Sequence, residues 1–139
     1  DGELINYASR RKDRKKIRNL NFEVRDASDL SGFRDKEFDI AVTTMAVHQF
    51  EADVALKVMK EMKRVALKVI IADYNHPMPQ GLSRSVAYAI EKKAAGDHYR
   101  NFRNYISAGG IRYFTDGAGL QIKSSDTRGN GVFIVVVCE

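Results

Sequence analysis

The sequence predicts an α/β fold in which a mostly parallel sheet is completed by an antiparallel C-terminal hairpin. Apolar or alternating segments of strand length alternate with segments of helical periodicity, as they do when helices connect parallel strands. The last two apolar segments are separated instead by Asn130-Gly131, a dipeptide typical of tight hairpin turns. The length of 139 residues suits a single hydrophobic core. We therefore expect residues 1–139 to form one domain.

Five elements are predicted in the N-terminal half. Residues 3–18 begin with apolar side chains and continue into a basic run, which predicts the first helix. In residues 22–25 apolar and charged side chains alternate, which predicts a short strand. The strand over 38–42 has a continuous apolar stretch, as in strands buried on both faces. The next strand has its apolar centre at residues 68–72. A one-face apolar stripe predicts the helix between them. The predicted elements are a helix over 3–18, a strand over 22–25, a strand over 38–42, a helix over 52–64 and a strand over 65–73.

Five more elements are predicted in the C-terminal half. Ser83 is a suitable N-terminal cap for a helix that Gly96 terminates, and Gly109-Gly110 ends the helix that follows. Apolar periodicity predicts a third, short helix before the hairpin. The predicted elements are helices over 83–96, 98–107 and 111–116 and strands over 119–124 and 132–138.

Composition and charge exclude several other classes of protein. With 44% hydrophobic and 29% charged residues, the chain is neither disordered nor collagen-like. The single cysteine, Cys138, cannot form an internal disulfide and suits a reducing compartment. The longest apolar run, residues 132–138, is too short to cross a bilayer, which takes about 20 residues in a helix. We therefore predict a cytoplasmic protein with no membrane partner.

A basic cluster lies within residues 10–18 and accounts for the net charge of +5. Such a cluster either forms the solvated face of a helix or binds phosphates. No aromatic residue interleaves with it to stack on bases, which favours the solvated face and argues against a nucleic-acid partner.

The motifs that carry chemistry are few. The three histidines, His48, His76 and His98, have no metal-type spacing to one another or to Cys138, so no metal site is predicted. Neither a Gly-rich phosphate loop nor a Gly-x-Ser-x-Gly elbow is present. The informative positions are polar residues that follow strands, because open α/β sheets bind ligands at the carboxyl ends of their strands.

Several segments in order resemble one enzyme family. These are Val-Arg-Asp-Ala-Ser-Asp-Leu at 24–30, Phe-Asp-Ile-Ala-Val at 38–42, Ala-Val-His at 46–48 and the stretch 62–73. Together they resemble the class I S-adenosylmethionine-dependent methyltransferases, in particular the small-molecule branch that includes the quinone-biosynthesis enzymes. The resemblance implies a Rossmann-like sheet, S-adenosylmethionine as cofactor and a small-molecule methyl acceptor as partner.

The resemblance also implies roles for particular residues. Asp26 corresponds to the acid that accepts a hydrogen bond from the adenine amino group, and Ala27 to the neighbour whose N–H meets the ring. Thr43 and Thr44 correspond to the segment that lines the methionine end of the cofactor. His48 corresponds to a family histidine that either helps to deprotonate the acceptor or orders its loop.

Residues 81–110 correspond to the helical insertion that covers the active site in the family. His98, Tyr99 and Arg103 within it are predicted to contact the substrate; the alternative is that alternate residues pack inward while the arginines are solvated.

The sequence departs from the family at its beginning. The first two strands of the family, with their Gly-rich turn and ribose-binding acid, are missing, so we expect the C-terminal portion of an enzyme. Three arrangements would fill the gap in the sheet: a longer parent chain, a partner chain through homo-oligomer formation or strand exchange, or direct pairing of 22–25 with 38–42. Two other functions stay open, a non-catalytic accessory half-domain and an RNA methyltransferase that uses the basic cluster.

Overall fold

The computed structural model describes residues 2–139, which form five helices and four strands. The helices are α1 (Gly2–Arg14), α2 (Ala52–Val65), α3 (Leu82–Ala94), α4 (Gly96–Ala108) and α5 (Ile111–Gly117). The strands are β1 (Phe38–Thr44), β2 (Ala66–Tyr74), β3 (Ile122–Arg128) and β4 (Phe133–Cys138), and a single 3₁₀ turn covers Val47–Gln49. No helix in this part of the chain is both long and apolar enough to cross a membrane.

The four strands form one mixed sheet in the order β1-β2-β4-β3. β1 and β2 are parallel, with Thr44 opposite Ala72 near their carboxyl ends. β4 is antiparallel to both β2 and β3, and Tyr74 of β2 lies opposite Phe133 of β4. The predicted α/β class and the C-terminal hairpin are therefore confirmed. Within residues 2–139 one strand pair is parallel and two are antiparallel.

One face of the sheet carries the hydrophobic core. Val69 and Ile71 of β2 and Val136 of β4 are fully buried on this face. Helices α2, α4 and α5 supply the opposing side chains, among them Met59 and Phe102 with no exposed surface. The burial of the α2 stripe confirms the one-face periodicity in the sequence. Cys138 also points into this core, and burial raises the pKa of its thiol.

The opposite face of the sheet is largely open on β1. Ile40 and Val42 keep 50% and 59% of their surface exposed. The prediction that residues 38–42 are buried on both faces is therefore wrong for the described structure. The reason is that β1 pairs only with β2, and no helix of residues 2–139 covers its outer face.

Two other predictions near the N-terminus are wrong. Residues 22–25 form no strand, because a strand requires a hydrogen-bonded neighbour and none lies beside them in the described chain. Of the three arrangements considered for the gap in the sheet, direct pairing of 22–25 with 38–42 is therefore absent from the described structure. Helix α1 ends at Arg14 and does not reach residue 18. Lys16 adopts a left-handed conformation, and its N–H and that of Ile17 bond back to the carbonyls of Asp13 and Lys12, which is a Schellman ending.

The loop between α1 and β1 is attached to α2 by the guanidinium of Arg64. All five of its N–H donors are used, two on the carboxylate of Glu61, one on the carboxylate of Asp35 and two on the loop carbonyls of Leu30 and Phe33. Glu61 in turn accepts the N–H of Leu30 at 2.7 Å. The hydrogen bond with Arg64 lowers the pKa of Glu61, and the hydrogen bond with Glu61 raises the pKa of Arg64.

We expect Arg64→Ala to lower the midpoint of thermal unfolding by several degrees, because two loop carbonyls and two carboxylates lose their donor. Arg112→Ala, which removes the same charge from an exposed position, is the control and should change the midpoint little. The difference between wild type and Arg64→Ala should be largest above pH 4.5, the ordinary pKa of Glu61, and should shrink as the pH falls through its lowered pKa. Equal midpoints for both variants at neutral pH would contradict the assigned role.

Candidate functional site

The candidate site is built where β1 and β2 end side by side. Met45, directly after β1, has a positive φ of 50° and donates its N–H to the carbonyl of Ala72 at 2.8 Å. The chain therefore turns sharply over the end of β2 and enters the 3₁₀ turn Val47–Gln49. Thr43 and Thr44, predicted to line the cofactor, occupy the last two positions of β1, with Thr43 half-buried and Thr44 exposed.

A buried carboxylate fixes this turn. Asp73, near the end of β2, has no exposed surface. Its Oδ2 accepts the N–H groups of Val47 and His48 at 2.9 and 3.3 Å, and its Oδ1 accepts the N–H of Tyr74 at 2.7 Å. Oδ1 also lies 2.6 Å from Nδ1 of His48, which donates its proton. The carboxylate thus binds the first N–H groups of the 3₁₀ turn and orients one histidine ring.

The orientation of His48 directs its other ring nitrogen, Nε2, toward helices α3 and α4. Nε2 of His48 lies 3.6 Å from Oε1 of Glu91 on α3, and Oε2 of Glu91 lies 2.6 Å from Nε2 of His98 on α4. The hydroxyl of Tyr74 donates to Oε1 of Glu91 at 2.7 Å. Burial, together with the Glu91 hydrogen bond, raises the pKa of Tyr74, so its hydroxyl keeps its proton.

His48 itself is only 1% exposed, because Tyr74, Phe102 and Tyr105 surround its ring edge-on. The structure therefore places its predicted catalytic nitrogen in a buried network. The neighbouring His98 keeps about a third of its side chain exposed (32%) and is the part of this network nearest to solvent.

Asp26 and Ala27 lie apart from this network, on the exposed loop that Arg64 attaches to α2. The backbone N–H and then the hydroxyl of Ser28 bond to Oδ1 of Asp26 at 2.8 and 2.7 Å and hold the pKa of its carboxyl below the ordinary value. The charge of Lys57 on α2 lowers this pKa further. Asp26 is thus ionised at neutral pH and acts only as an acceptor.

Helices α3 and α4 occupy residues 82–108, within the predicted insertion 81–110. Tyr99 on α4 is half-buried and stacks on the ring of Phe102, whereas Arg103 is exposed. The structure does not bring Tyr99 and Arg103 into the His48 network; of the three predicted substrate residues only His98 is in it.

An apolar groove separates α3 from the β3–β4 turn. Its volume is about 320 Å³, and Val86 and Ile90 of α3 face Val132 and Phe133 across it. Tyr74, the last residue of β2, is part of the groove lining. It lies two residues after Ala72, which pairs with Thr44 at the end of β1, so the groove adjoins the ends of both strands.

Three residues of the network, Asp73, Tyr74 and Glu91, were not among the predicted site residues. Glu91 follows Ala87 by one helical turn and is buried on the same face of α3. A carboxylate on the apolar stripe of a helix is the signal that could have found it, because a buried charge requires a partner.

Solved structures show how this architecture compares with known proteins. The chain aligns over its whole length with the PH0226 protein of Pyrococcus horikoshii OT3, at a TM-score of 0.71 and 19% identity, and covers 68% of it. A SAM-dependent methyltransferase from Aquifex aeolicus aligns with 99% of the chain at a TM-score of 0.62 and 15% identity. The chain shares its fold with these two proteins.

The family comparison agrees with the fold. Residues 1–69, just under half of the chain, match the model of a methyltransferase domain, which supports the predicted resemblance to methyltransferases. Another match with this fold is the magnesium protoporphyrin IX methyltransferase of Synechocystis PCC 6803, solved with bound SAH, at a TM-score of 0.60 and 13% identity. No curated protein is significantly similar in sequence.

The chain spans only part of the methyltransferases that it matches. It covers 64% of the Aquifex enzyme and 59% of the Synechocystis enzyme. Within residues 2–139, its sheet order β1-β2-β4-β3 makes β1 and β3 the two edge strands.

We expect Asp73→Asn to lower the free energy of unfolding by about 3 kcal/mol. The reason is that the NH₂ group of asparagine would face N–H groups that now donate hydrogen bonds to the carboxylate of Asp73. Urea unfolding measures the change. The control is Asp116→Asn, which makes the same exchange at an exposed position of α5. It should change the free energy of unfolding by less than about 0.5 kcal/mol. Equal stability of the two variants would show that the Asp73 network is not structurally important.

Proposed function

We propose that the protein transfers a methyl group from S-adenosylmethionine to an apolar small molecule that lies in the groove beside α3. The observation that carries this proposal is the continuity between strand end and groove. Thr44 ends β1 opposite Ala72, and Tyr74, two residues further along β2, is the inner wall of the groove. A cofactor at the strand ends and an acceptor in the groove would therefore be neighbours.

Residues of the chain are suited to both ends of the cofactor, its adenine ring and its methionine part. The ionised carboxylate of Asp26 is suited to accept the adenine amino group, and the N–H of Ala27 is suited to meet the ring. Thr43 and Thr44 offer hydroxyl groups for the methionine end. When bound, the cofactor supplies a methyl group on sulfonium sulfur: the acceptor atom bonds to the methyl carbon as the carbon–sulfur bond breaks, leaving S-adenosylhomocysteine.

The groove indicates an apolar acceptor. Its walls are mainly aliphatic and aromatic, and about 320 Å³ is within the range of small-molecule sites. Val86 and Ile90 are 48% and 59% exposed, so a ligand there would remove apolar surface from water. A hydroquinone-like acceptor fits this description, in agreement with the branch that the sequence resembles.

Positioning, more than acid–base chemistry, is what methyl transfer requires from the chain. His48 fits a positioning role, because Asp73 and the surrounding rings hold it inside the protein. Among the α4 residues, the part-exposed His98 and Tyr99 and the exposed Arg103 are proposed as contacts to the outer part of the acceptor.

The accessory half-domain is the second candidate, and the open edge of β1 favours it. β1 pairs on one side only, and Ile40 and Val42 are exposed beside that edge. Association with another chain or strand exchange would cover both. Sedimentation of the 139-residue chain distinguishes a monomer from such an assembly.

The RNA methyltransferase alternative rests on the basic cluster alone. Arg10, Arg11 and Arg14 lie on α1, which has no buried residue. This exposure is also that of a solvated helix face, so the cluster adds no support for a nucleic-acid partner.

We expect the chain to bind S-adenosylhomocysteine at one site and Asp26→Ala to weaken binding at least 10-fold, because the adenine amino group loses a charged acceptor. Calorimetric titration measures this change. Asp29→Ala is the matched control: Asp29 is exposed, makes the same kind of turn with Ser31, and carries the same charge. Equal weakening by both variants would contradict a specific contact from Asp26, and no binding by the folded wild-type chain would favour the accessory function.

For the groove, we expect Val86→Asp to raise the KM for apolar hydroquinone or phenol acceptors at least 10-fold, because a charge enters an apolar wall. The affinity for S-adenosylhomocysteine should not change. Ala89→Asp adds the same charge to an exposed position of α3 outside the groove and should leave the KM unchanged. The KM of each variant is measured from steady-state rates of methyl transfer. An unchanged KM in Val86→Asp would show that the acceptor binds outside the groove.

A further inference from the structure

We propose that His48, Glu91 and His98 form a binding site for a divalent transition-metal ion such as Zn²⁺. Each residue offers one ligand atom, and the three atoms lie within 4.8 Å of one another. They come from three separate elements, the 3₁₀ turn, α3 and α4, so the fold assembles the cluster. Two imidazoles and one carboxylate are a donor set that suits first-row transition metals.

The electrostatics of the cluster favour a cation. Two carboxylates, Asp73 and Glu91, are buried within one hydrogen-bonded network. No hydrogen bond or ion pair of this network, within residues 2–139, comes from a lysine or arginine. A divalent ion bound within this network would balance that charge.

His48 has the carboxylate partner that metal-binding histidines commonly have. Oδ1 of Asp73 accepts a hydrogen bond from Nδ1–H of His48 at 2.6 Å, which leaves the lone pair of Nε2 directed toward Glu91. A carboxylate behind a ligating imidazole fixes its tautomer and makes it more basic. Tyr74 donates to Oε1 of Glu91 and leaves Oε2 to face His98.

Binding an ion would require the ligand atoms to move. The three atoms lie within 4.8 Å of one another, whereas the ligands of a tetrahedral ion with bonds of about 2.0 Å are roughly 3.3 Å apart. Glu91 Oε2 and His98 Nε2 are 2.6 Å apart and would separate by about 0.7 Å as the ion replaces the shared proton, which leaves for solvent. His98 is 32% exposed and gives the ion a path of entry.

Three protein ligands leave at least one coordination position open, which is the arrangement of metal sites that bind water or a further ligand. Sequence spacing predicted no metal site, because the ligands lie in separate segments and match no local signature. The site does not depend on the proposed methyl transfer. Its test uses no cofactor or acceptor, so the two proposals fail separately.

The test is calorimetric titration of the 139-residue chain with Zn²⁺ at pH 7.5, with the absorption spectrum of the Co²⁺ complex as a second readout. We expect one site with a micromolar or lower Kd and the visible bands of four-coordinate Co²⁺. His98→Ala and Glu91→Gln should each weaken Zn²⁺ binding at least 30-fold and abolish those bands. Lowering the pH to 5 should weaken binding in the wild type, since protons compete for the imidazoles.

The matched control is His76→Ala, which removes the third histidine from an exposed position outside the cluster. It should bind Zn²⁺ like the wild type. Circular dichroism of each variant verifies that it is folded, and His98→Ala is the main test because the side chain is partly exposed. No saturable binding by the wild type, or equal affinity in folded His98→Ala, would overturn the proposal.

Discussion

The buried carboxylate of Asp73 is the constraint on which the candidate site depends. A charge without access to water must be met by donors, and here they are three backbone N–H groups and one imidazole. For the N–H groups of Val47 and His48 to reach Asp73, the chain after β1 must bend over the end of β2. The left-handed Met45, the 3₁₀ turn and the tautomer of His48 all follow from that requirement.

The same carboxylate connects the sheet to the helices above it. From Asp73 the contacts continue through His48 and Glu91 to His98, and Tyr74 joins Glu91 from the neighbouring position on β2. Tyr105 on α4 adds a hydrogen bond to the carbonyl of Tyr74, and burial raises the pKa of its hydroxyl. The strand ends that are proposed to hold the cofactor and the wall of the groove are therefore parts of one packed unit.

Sequence reasoning succeeded where local pattern and tertiary contact agree. α2, β2 and β4 were predicted to within about one residue of their ends, because their apolar stripes are also their buried faces. The other hairpin strand, β3, was predicted over 119–124 and lies at Ile122–Arg128, where nearly all of its residues are exposed and give no apolar stripe. Cys138 was expected in a buried strand and lies in one.

The failures share a cause in partners that a single sequence does not display. Residues 22–25 alternate like a strand but have no neighbour to pair with in the described chain, and β1 lacks a covering helix on one face. The buried network was only partly anticipated, since Glu91 and His98 meet His48 through helix packing and not through spacing. Asp26 and His48 were recognised by resemblance, and their roles in binding remain predictions.

The use of all five donors of Arg64 has a consequence for how this position tolerates variation. A lysine would keep the positive charge, yet it offers three donors from one point and cannot span two carboxylates and two carbonyls at once. An exchange that substitution matrices score as mild is therefore severe here. The guanidinium serves as a shaped template on which the loop before β1 acquires its conformation.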